Sequence, residues 1–239
     1  MKYVSIDLET TGLDPENNQI LTFSGILEDT SKKLLFEELP KLNLYLLRSQ
    51  ITGSYFAINM NSKIVATVSR YSTLKTPEEK KGFADSIKGT FIMDNALPFY
   101  FYVWCLVYHE GFEEYKSMLS SENWDNYATA EMNMKAVATL IAKHGKVKLN
   151  VAGKNFSSFD KKFIDKYEKF YNYVIFRQRV LDPSVFFVDW ETDQVIPDLT
   201  QCKERAGLDP FVSHESLDDA WDVIQLFRKS EQILNLSKK

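Results

Sequence analysis

Cysteine and histidine are scarce in this chain, with two of the former, Cys105 and Cys202, and three of the latter in 239 residues. Neither cysteine belongs to a CxxC pair, which excludes a disulfide framework and a zinc knuckle and points to a reducing compartment. No apolar run approaches the roughly 18 residues of a membrane span, and Asp7 and Glu9 interrupt the stretch that a signal peptide needs unbroken. The expectation is a soluble, cytoplasmic protein with no membrane partner. An excess of positive charge is also missing, since 29 Lys and Arg face 33 Asp and Glu, a formal net charge of -4. Bulk charge therefore cannot coat nucleic acid, although local basic patches remain open. No repeat or low-complexity tract is present.

What is present is an ordinary globular composition, 44% hydrophobic and 26% charged. A chain of this size buries roughly 70% of its unfolded surface, enough for a core without staples. Val4, Ile6 and Leu8 alternate with Tyr3, Ser5 and Asp7, which predicts a strand over Lys2 to Leu8. Thr10-Thr11-Gly12 and Asp14-Pro15 break it. A second strand near Ile20 to Leu27, a turn over Glu28 to Ser31 and a third strand over Lys33 to Leu39 would complete an antiparallel meander. Ala57, Met60, Ile64, Val68 and Tyr71 follow helical spacing and predict a helix over Tyr55 to Tyr71. Asn126 to His144 reads as a helix closed by Gly145, Val147 to Ala152 as a strand, and Phe159 to Phe170 as an amphipathic helix beginning near Asp160. Val174 to Phe176 is a brief strand, Asp198 to Ala206 a short helix and Ser216 to Leu234 a long one. This order predicts an α/β fold, a mixed sheet of a three-strand meander plus parallel strands flanked by helices, in one domain over residues 1–239. The stretch 72–126 is the least legible and contains the aromatic run Phe99 to Trp104. Core packing is the first explanation of that run, a subunit interface the second and base stacking the third. A homodimer is thus left open.

Three segments carry candidate chemistry. Asp7 and Glu9 sit two apart in a strand, so their carboxylates share a face about 7 Å apart. Partly buried together they repel, and the pair is stable chiefly with a cation between them. Oxygen donors suit magnesium or manganese better than zinc. A solvated pair on an exposed strand is the bland alternative. The Thr10-Thr11-Gly12 turn beside them lets backbone N–H groups approach a ligand. Asp160 opens a helix after Asn155-Phe156-Ser157-Ser158-Phe159, where capping is the competing role. His214 precedes the last long helix, with Asp219 in its first turn, where Ser216 and Asp219 also fit a capping box. His109 and His144 are accounted for by structural roles.

In this order, the segments Ile6-Asp7-Leu8-Glu9-Thr10-Thr11-Gly12-Leu13, Phe159-Asp160 and His214 with Asp219 resemble the three motifs of the DEDDh family of 3′-to-5′ exonucleases. That resemblance implies a ribonuclease H-like fold and a site of four acids and one histidine. It implies two divalent cations, Mg2+ or Mn2+, with Asp7 bridging both, Glu9 and Asp219 completing the first and Asp160 holding the second. It further implies that His214 is the general base, that Thr10 and Leu13 hold the terminal nucleotide, and that the partners are single-stranded DNA or RNA 3′ ends. The product would be a nucleoside 5′-monophosphate. Thr11, Gly12, Lys154 and Asn155 complete the expected substrate contacts. Two departures accompany the match. Asn155 stands five rather than four residues before Asp160, with Lys154 in the place of a common histidine, and 72–126 is longer than the corresponding stretch of family members.

Basic residues concentrate between Lys143 and Arg179, about ten against Asp160, Asp165 and Glu168, a local excess able to receive phosphates. A solvated helix face is the simpler account of Lys162, Lys166 and Lys169. Two other classes of function compete with the nuclease reading: a non-catalytic nucleic-acid-binding or assembly subunit, and a metal-dependent phosphoesterase acting on small nucleotides.

Overall fold

The computed structural model describes residues 1–236, so the last three residues of the expected domain lie outside the described part. Strand β1 (Lys2–Thr10) pairs antiparallel with β2 (Ile20–Asp29), and β2 pairs antiparallel with β3 (Lys41–Leu47). The third strand therefore starts at Lys41, after the stretch Lys33 to Leu39 expected to form it. Two causes are visible. Lys33 takes a left-handed φ of 47° and a 3-10 turn occupies Phe36–Glu38. Leu34 and Phe36 also pack sideways on the final helix, so their apolar character reflects burial outside the ladder.

The expected single helix over Tyr55 to Tyr71 is two, α1 (Tyr55–Met60) and α2 (Ser62–Thr73), separated at Asn61. The 72–126 stretch supplies α3 (Pro77–Ser86), the edge strand β4 (Thr90–Met93), parallel to β3, and α4 (Leu97–Trp104), continued by a wider π turn over Cys105–Glu110. Helix α5 (Tyr127–His144) is capped by the Asn126 side chain, which accepts from the Thr129 N–H, and stopped at Gly145 with φ 73°. The expected strand Val147 to Ala152 divides at Asn150 into β5 (Val147–Leu149) and β6 (Val151–Ala152), which join different sheets. Helix α6 (Asp160–Asp165) is shorter than the periodicity suggested, and α7 (Phe170–Tyr173) follows as a separate turn. Strand β7 (Val174–Phe176) pairs parallel with β5, and α8 (Leu199–Arg205) and α9 (Ser216–Leu236) end the described chain.

The result is an α/β fold with a five-stranded mixed sheet in the order β4-β3-β2-β1-β6, flanked by helices. Val4, Ile6 and Leu8 of β1 face the larger core with Phe23, Leu44 and Ile92, against α4 and α5. The opposite face packs Tyr3 and Ile26 on Ala220, Val223 and Ile224 of α9, and Leu47 and Phe91 on Val68, Tyr71 and Ala84 of α2 and α3. All eight residues of α4 are buried, as expected of a helix that is apolar all round. Its aromatic run is core, and its polar tips are satisfied: the Tyr100 hydroxyl donates to the Leu119 carbonyl at 3.0 Å and the Tyr102 hydroxyl to the Gly145 carbonyl at 2.8 Å. No helix among the described residues is long and apolar enough to cross a membrane.

Candidate functional site

Alternation along β1 decides which side chains meet α9. With Val4, Ile6 and Leu8 committed to the larger core, Asp7 and Glu9 project from the other face, toward the first turn of α9. The register with β2 shifts between Glu9 and Thr10, an irregularity of the kind that bends a strand and re-aims its side chains. Helix α9 is docked there by Ser216, whose hydroxyl lies 2.8 Å from those of both Thr22 and Ser24 on β2. Ser216 thus spends its hydroxyl on the sheet and not in the expected capping box, while Asp219 turns its carboxylate to the acids of β1. Asp7, Glu9 and Asp219 bring carboxylate oxygens within 4.8 Å of one another.

Asp160 approaches from the far side of β1. Strand β6 pairs with β1 only at Val4 and Ser5, so the N–H of Leu8 lies beyond its end. The Asp160 Oδ1 accepts that N–H at 3.1 Å and takes over the place of the ladder. Gly153 makes the crossing feasible, because a Cβ there would lie 2.8 Å from the Ile6 carbonyl oxygen. Asp160 is buried and close enough to Asp7 for the two charges to repel.

Burial holds all four acids toward their neutral forms, and repulsion from neighbouring carboxylates adds to it at Asp7, Glu9 and Asp219. Asp7 is raised well above the usual carboxylate range, by burial first and then by Asp160, Asp219 and Glu9. Glu9 is pushed up to about 8 by burial and the Asp219 charge, with partial relief from the Asn61 amide. Asp160 rises to about 7 through burial, opposed by its own N–H and that of Leu8. Asp219 rises to about 7 through burial and Asp222, against the pull of Lys203. The Oδ1 of Asp219 is buried without a hydrogen-bond partner among the described residues, a costly state for a carboxylate oxygen unless a cation meets it. An all-oxygen, all-carboxylate donor set suits a hard divalent cation such as magnesium or manganese. Asp7, Glu9 and Asp219 therefore fit such an ion, whereas Asp160, expected to join them, stands outside the group with its Oδ1 on the Leu8 N–H.

The remaining expected residues fall into three groups. The Thr10 hydroxyl donates to the Gly12 carbonyl at 2.8 Å, and the Thr11 hydroxyl donates to the Thr52 carbonyl at 2.6 Å while accepting the Gln19 N–H at 2.9 Å. Both hydroxyls fasten the turn. Gly12 admits Asn18, whose Oδ1 would lie 2.3 Å from a Cβ at that position. Leu13 projects into solvent at the tip of the turn, 84% exposed. Lys154 is half-buried and acts on the Cys202 thiol, and the exposed Asn155 holds the turn into α6, its N–H on the Asp182 Oδ2 at 2.9 Å and its Oδ1 on the Ser158 hydroxyl. Their contacts do not lead to the acids.

His214 is exposed, in the left-handed region with φ 54°, on the loop immediately before α9. His109 pairs with Glu110. His144 bonds the Tyr115 hydroxyl at 2.8 Å and packs on Phe112 at the end of α5. Two residues of the site's surroundings carry no sequence signature. Asn61, the break between α1 and α2, donates to the Thr10 carbonyl at 3.0 Å, and Lys203 of α8 presents its charge to Asp219. An asparagine inside a helical period and a lysine on a short helix look like surface residues until the tertiary fold buries them.

Comparison of the chain with protein-family models and with curated proteins finds no match.

Proposed function

We propose that this chain is a metal-dependent 3′-to-5′ exonuclease of the DEDDh type on a ribonuclease H-like fold, releasing nucleoside 5′-monophosphates from single-stranded DNA or RNA ends. The observation that carries the reading is the convergence of Asp7, Glu9 and Asp219, from opposite ends of the chain, at one largely buried place with Asp160 set against Asp7. A fold gains nothing from four crowded carboxylates left without a cation. When bound, two divalent cations offset the negative charge of the phosphodiester and stabilise the departing 3′ oxygen. Asp7, Glu9, Asp160 and Asp219 are the residues that would hold them.

The protein's own share of the chemistry falls to His214 and the Thr10-Thr11-Gly12-Leu13 turn. An imidazole nitrogen of His214 takes the proton of the attacking water, whose oxygen bonds to phosphorus as the bond to the 3′ oxygen breaks. Leu13 meets the terminal base. The Ser54 N–H donates to the Thr11 carbonyl at 2.8 Å, which ties α1 to the same turn. Tyr55 and Phe56, 87% and 76% exposed, there offer rings on which unpaired bases stack regardless of sequence. Lys162, Lys166 and Lys169 are exposed on the α6–α7 side and attract the phosphates of the incoming strand.

The test is incubation with 5′-labelled single strands and manganese. Stepwise shortening from the 3′ end is expected. Unchanged strands that stay bound would favour a non-catalytic binding subunit, and hydrolysis confined to small nucleotides would favour a phosphoesterase.

A further inference from the structure

Lys203 is a buried cation outside the acid cluster. It is 5% exposed, and lysine is rarely so deep unless its ammonium is fully engaged. Its Nζ lies 2.5 Å from the Asp222 Oδ2 and also donates to the Phe211 carbonyl. One side chain of α8 is thereby fixed to α9 and to the loop that carries His214. Asp222 lies one turn beyond Asp219 on α9, and Phe211 lies three residues before His214. The same ammonium partly offsets the burial and the repulsion that hold Asp219 toward its neutral form.

Downstream of His214 the chain is held by Ser216, buried against Thr22 and Ser24, so the clamp at Phe211 is the anchor on the upstream side. The loop is also joined to α9 by the Ser213 hydroxyl, 3.1 Å from the Asp218 Oδ2, and to α2 by the exposed ion pair of Lys63 and Glu215. Exposed pairs of that kind hold a loop weakly. A buried pair that also takes a backbone carbonyl fixes geometry strongly, because breaking it leaves the Asp222 charge buried with the Gln225 amide but no counter-charge.

We infer that Lys203 is a positioning residue, which sets His214 over the acid cluster by clamping the Phe211 carbonyl to Asp222. The inference rests on the hydrolytic reading of the cluster for its consequence in rate, and on geometry alone for its consequence in structure. Misplacement of a proton acceptor by about 1 Å costs on the order of 100-fold in rate, so loss of the clamp is expected to slow the single-turnover step by about 10- to 100-fold with KM within about twofold.

The test uses the full chain with Lys203→Met, Lys203→Arg and the double variant Lys203→Met/Asp222→Leu, which removes both charges should the single variant not fold. Each is made with His214 intact and with His214→Ala. Two readouts are taken: the single-turnover rate on a 5′-labelled single strand, and the broadening of the His214 imidazole resonances by added Mn2+, which reports their distance from the acids without turnover. Expected are a rate loss in Lys203→Met that vanishes in the His214→Ala background, recovery to within about threefold in Lys203→Arg, and a measurably altered Mn2+ relaxation enhancement of His214 at saturating Mn2+ in Lys203→Met. An equal rate loss in both backgrounds, or broadening unchanged in Lys203→Met or its double variant, overturns the proposal. A wild-type chain that shortens no strand refutes the hydrolytic reading, and the broadening still decides the role of Lys203.

Discussion

Protons must leave the acid cluster before a cation can enter it, and their number follows from the site's electrostatics. With Glu9 raised to about 8 and Asp160 and Asp219 each to about 7, Glu9 is about nine-tenths protonated at pH 7 and the two aspartates about half. These three groups hold about two protons there, and Asp7, raised well above its usual range, adds to the count. At pH 9 the same three hold almost none. A bound divalent cation requires ionised carboxylates, so Mn2+ binding at pH 7 is expected to release at least about two protons. The apparent affinity should then rise at least roughly 100-fold per pH unit near neutrality. Titration calorimetry in buffers of different ionisation enthalpy measures the number directly, as the slope of observed heat against buffer enthalpy. A slope near zero at pH 7, with Mn2+ nonetheless bound, would mean that the four acids are already ionised and that their crowding has been misread.

Further expectations follow from the same geometry. In the metal-free protein these carboxyls titrate higher folded than unfolded, so the native state binds more protons and stability falls as pH rises from about 4 through 8. A carboxyl whose pKa rises by one on folding accounts for about 1.4 kcal/mol of that decline, and several kcal/mol are lost in all; thermal melts across that range with chelator present should show the loss, and millimolar Mn2+ at pH 8 should reverse it. Asp7→Asn removes a charge from the crowd, so its metal-free Tm at pH 8 should exceed that of the wild type while Mn2+ binding and turnover vanish. Near-normal turnover in that variant would refute the role given to Asp7. His214→Ala should keep Mn2+ affinity yet lose about two to four decades of rate, whereas His109→Ala and His144→Ala should leave the rate within a few-fold. Asn61→Ala removes both the anchor of the Thr10 carbonyl and the amide that eases Glu9 toward ionisation; calorimetry at pH 7 should show weaker Mn2+ binding, with the deficit shrinking at pH 9.

Elements governed by local pattern were legible in the sequence. The alternation of β1 predicted its two faces, and the caps and periodicity of α5, α8 and α9 predicted their limits to within a few residues, because those signals act within a turn of helix or across one pleat. Elements governed by distant partners were not. The residues Leu34 and Phe36 look like strand because they are apolar and partly buried, but they pack on the cluster around α9 and join no ladder. Asn150 divides one apolar run between two sheets, a choice made by β1 and β7 and not by the run itself. Helix α4 carries no amphipathic stripe, since every side is covered, and periodicity has nothing to report there. The acids Asp7, Glu9, Asp160 and Asp219 form one set through the family resemblance, and the fold brings Asp7, Glu9 and Asp219 together with Asp160 outside that group. Asn61 and Lys203 escaped, for their importance lies in what they touch.

The docking of α9 on β1 has a consequence for biosynthesis. Asp7 and Glu9 are synthesised more than 200 residues before Asp219, which reaches them only when Ser216 seats against Thr22 and Ser24. A nascent or prematurely terminated product that lacks α9 therefore displays at most three of the four acids, without Asp219. The full carboxylate cluster is assembled only after α9 has been made.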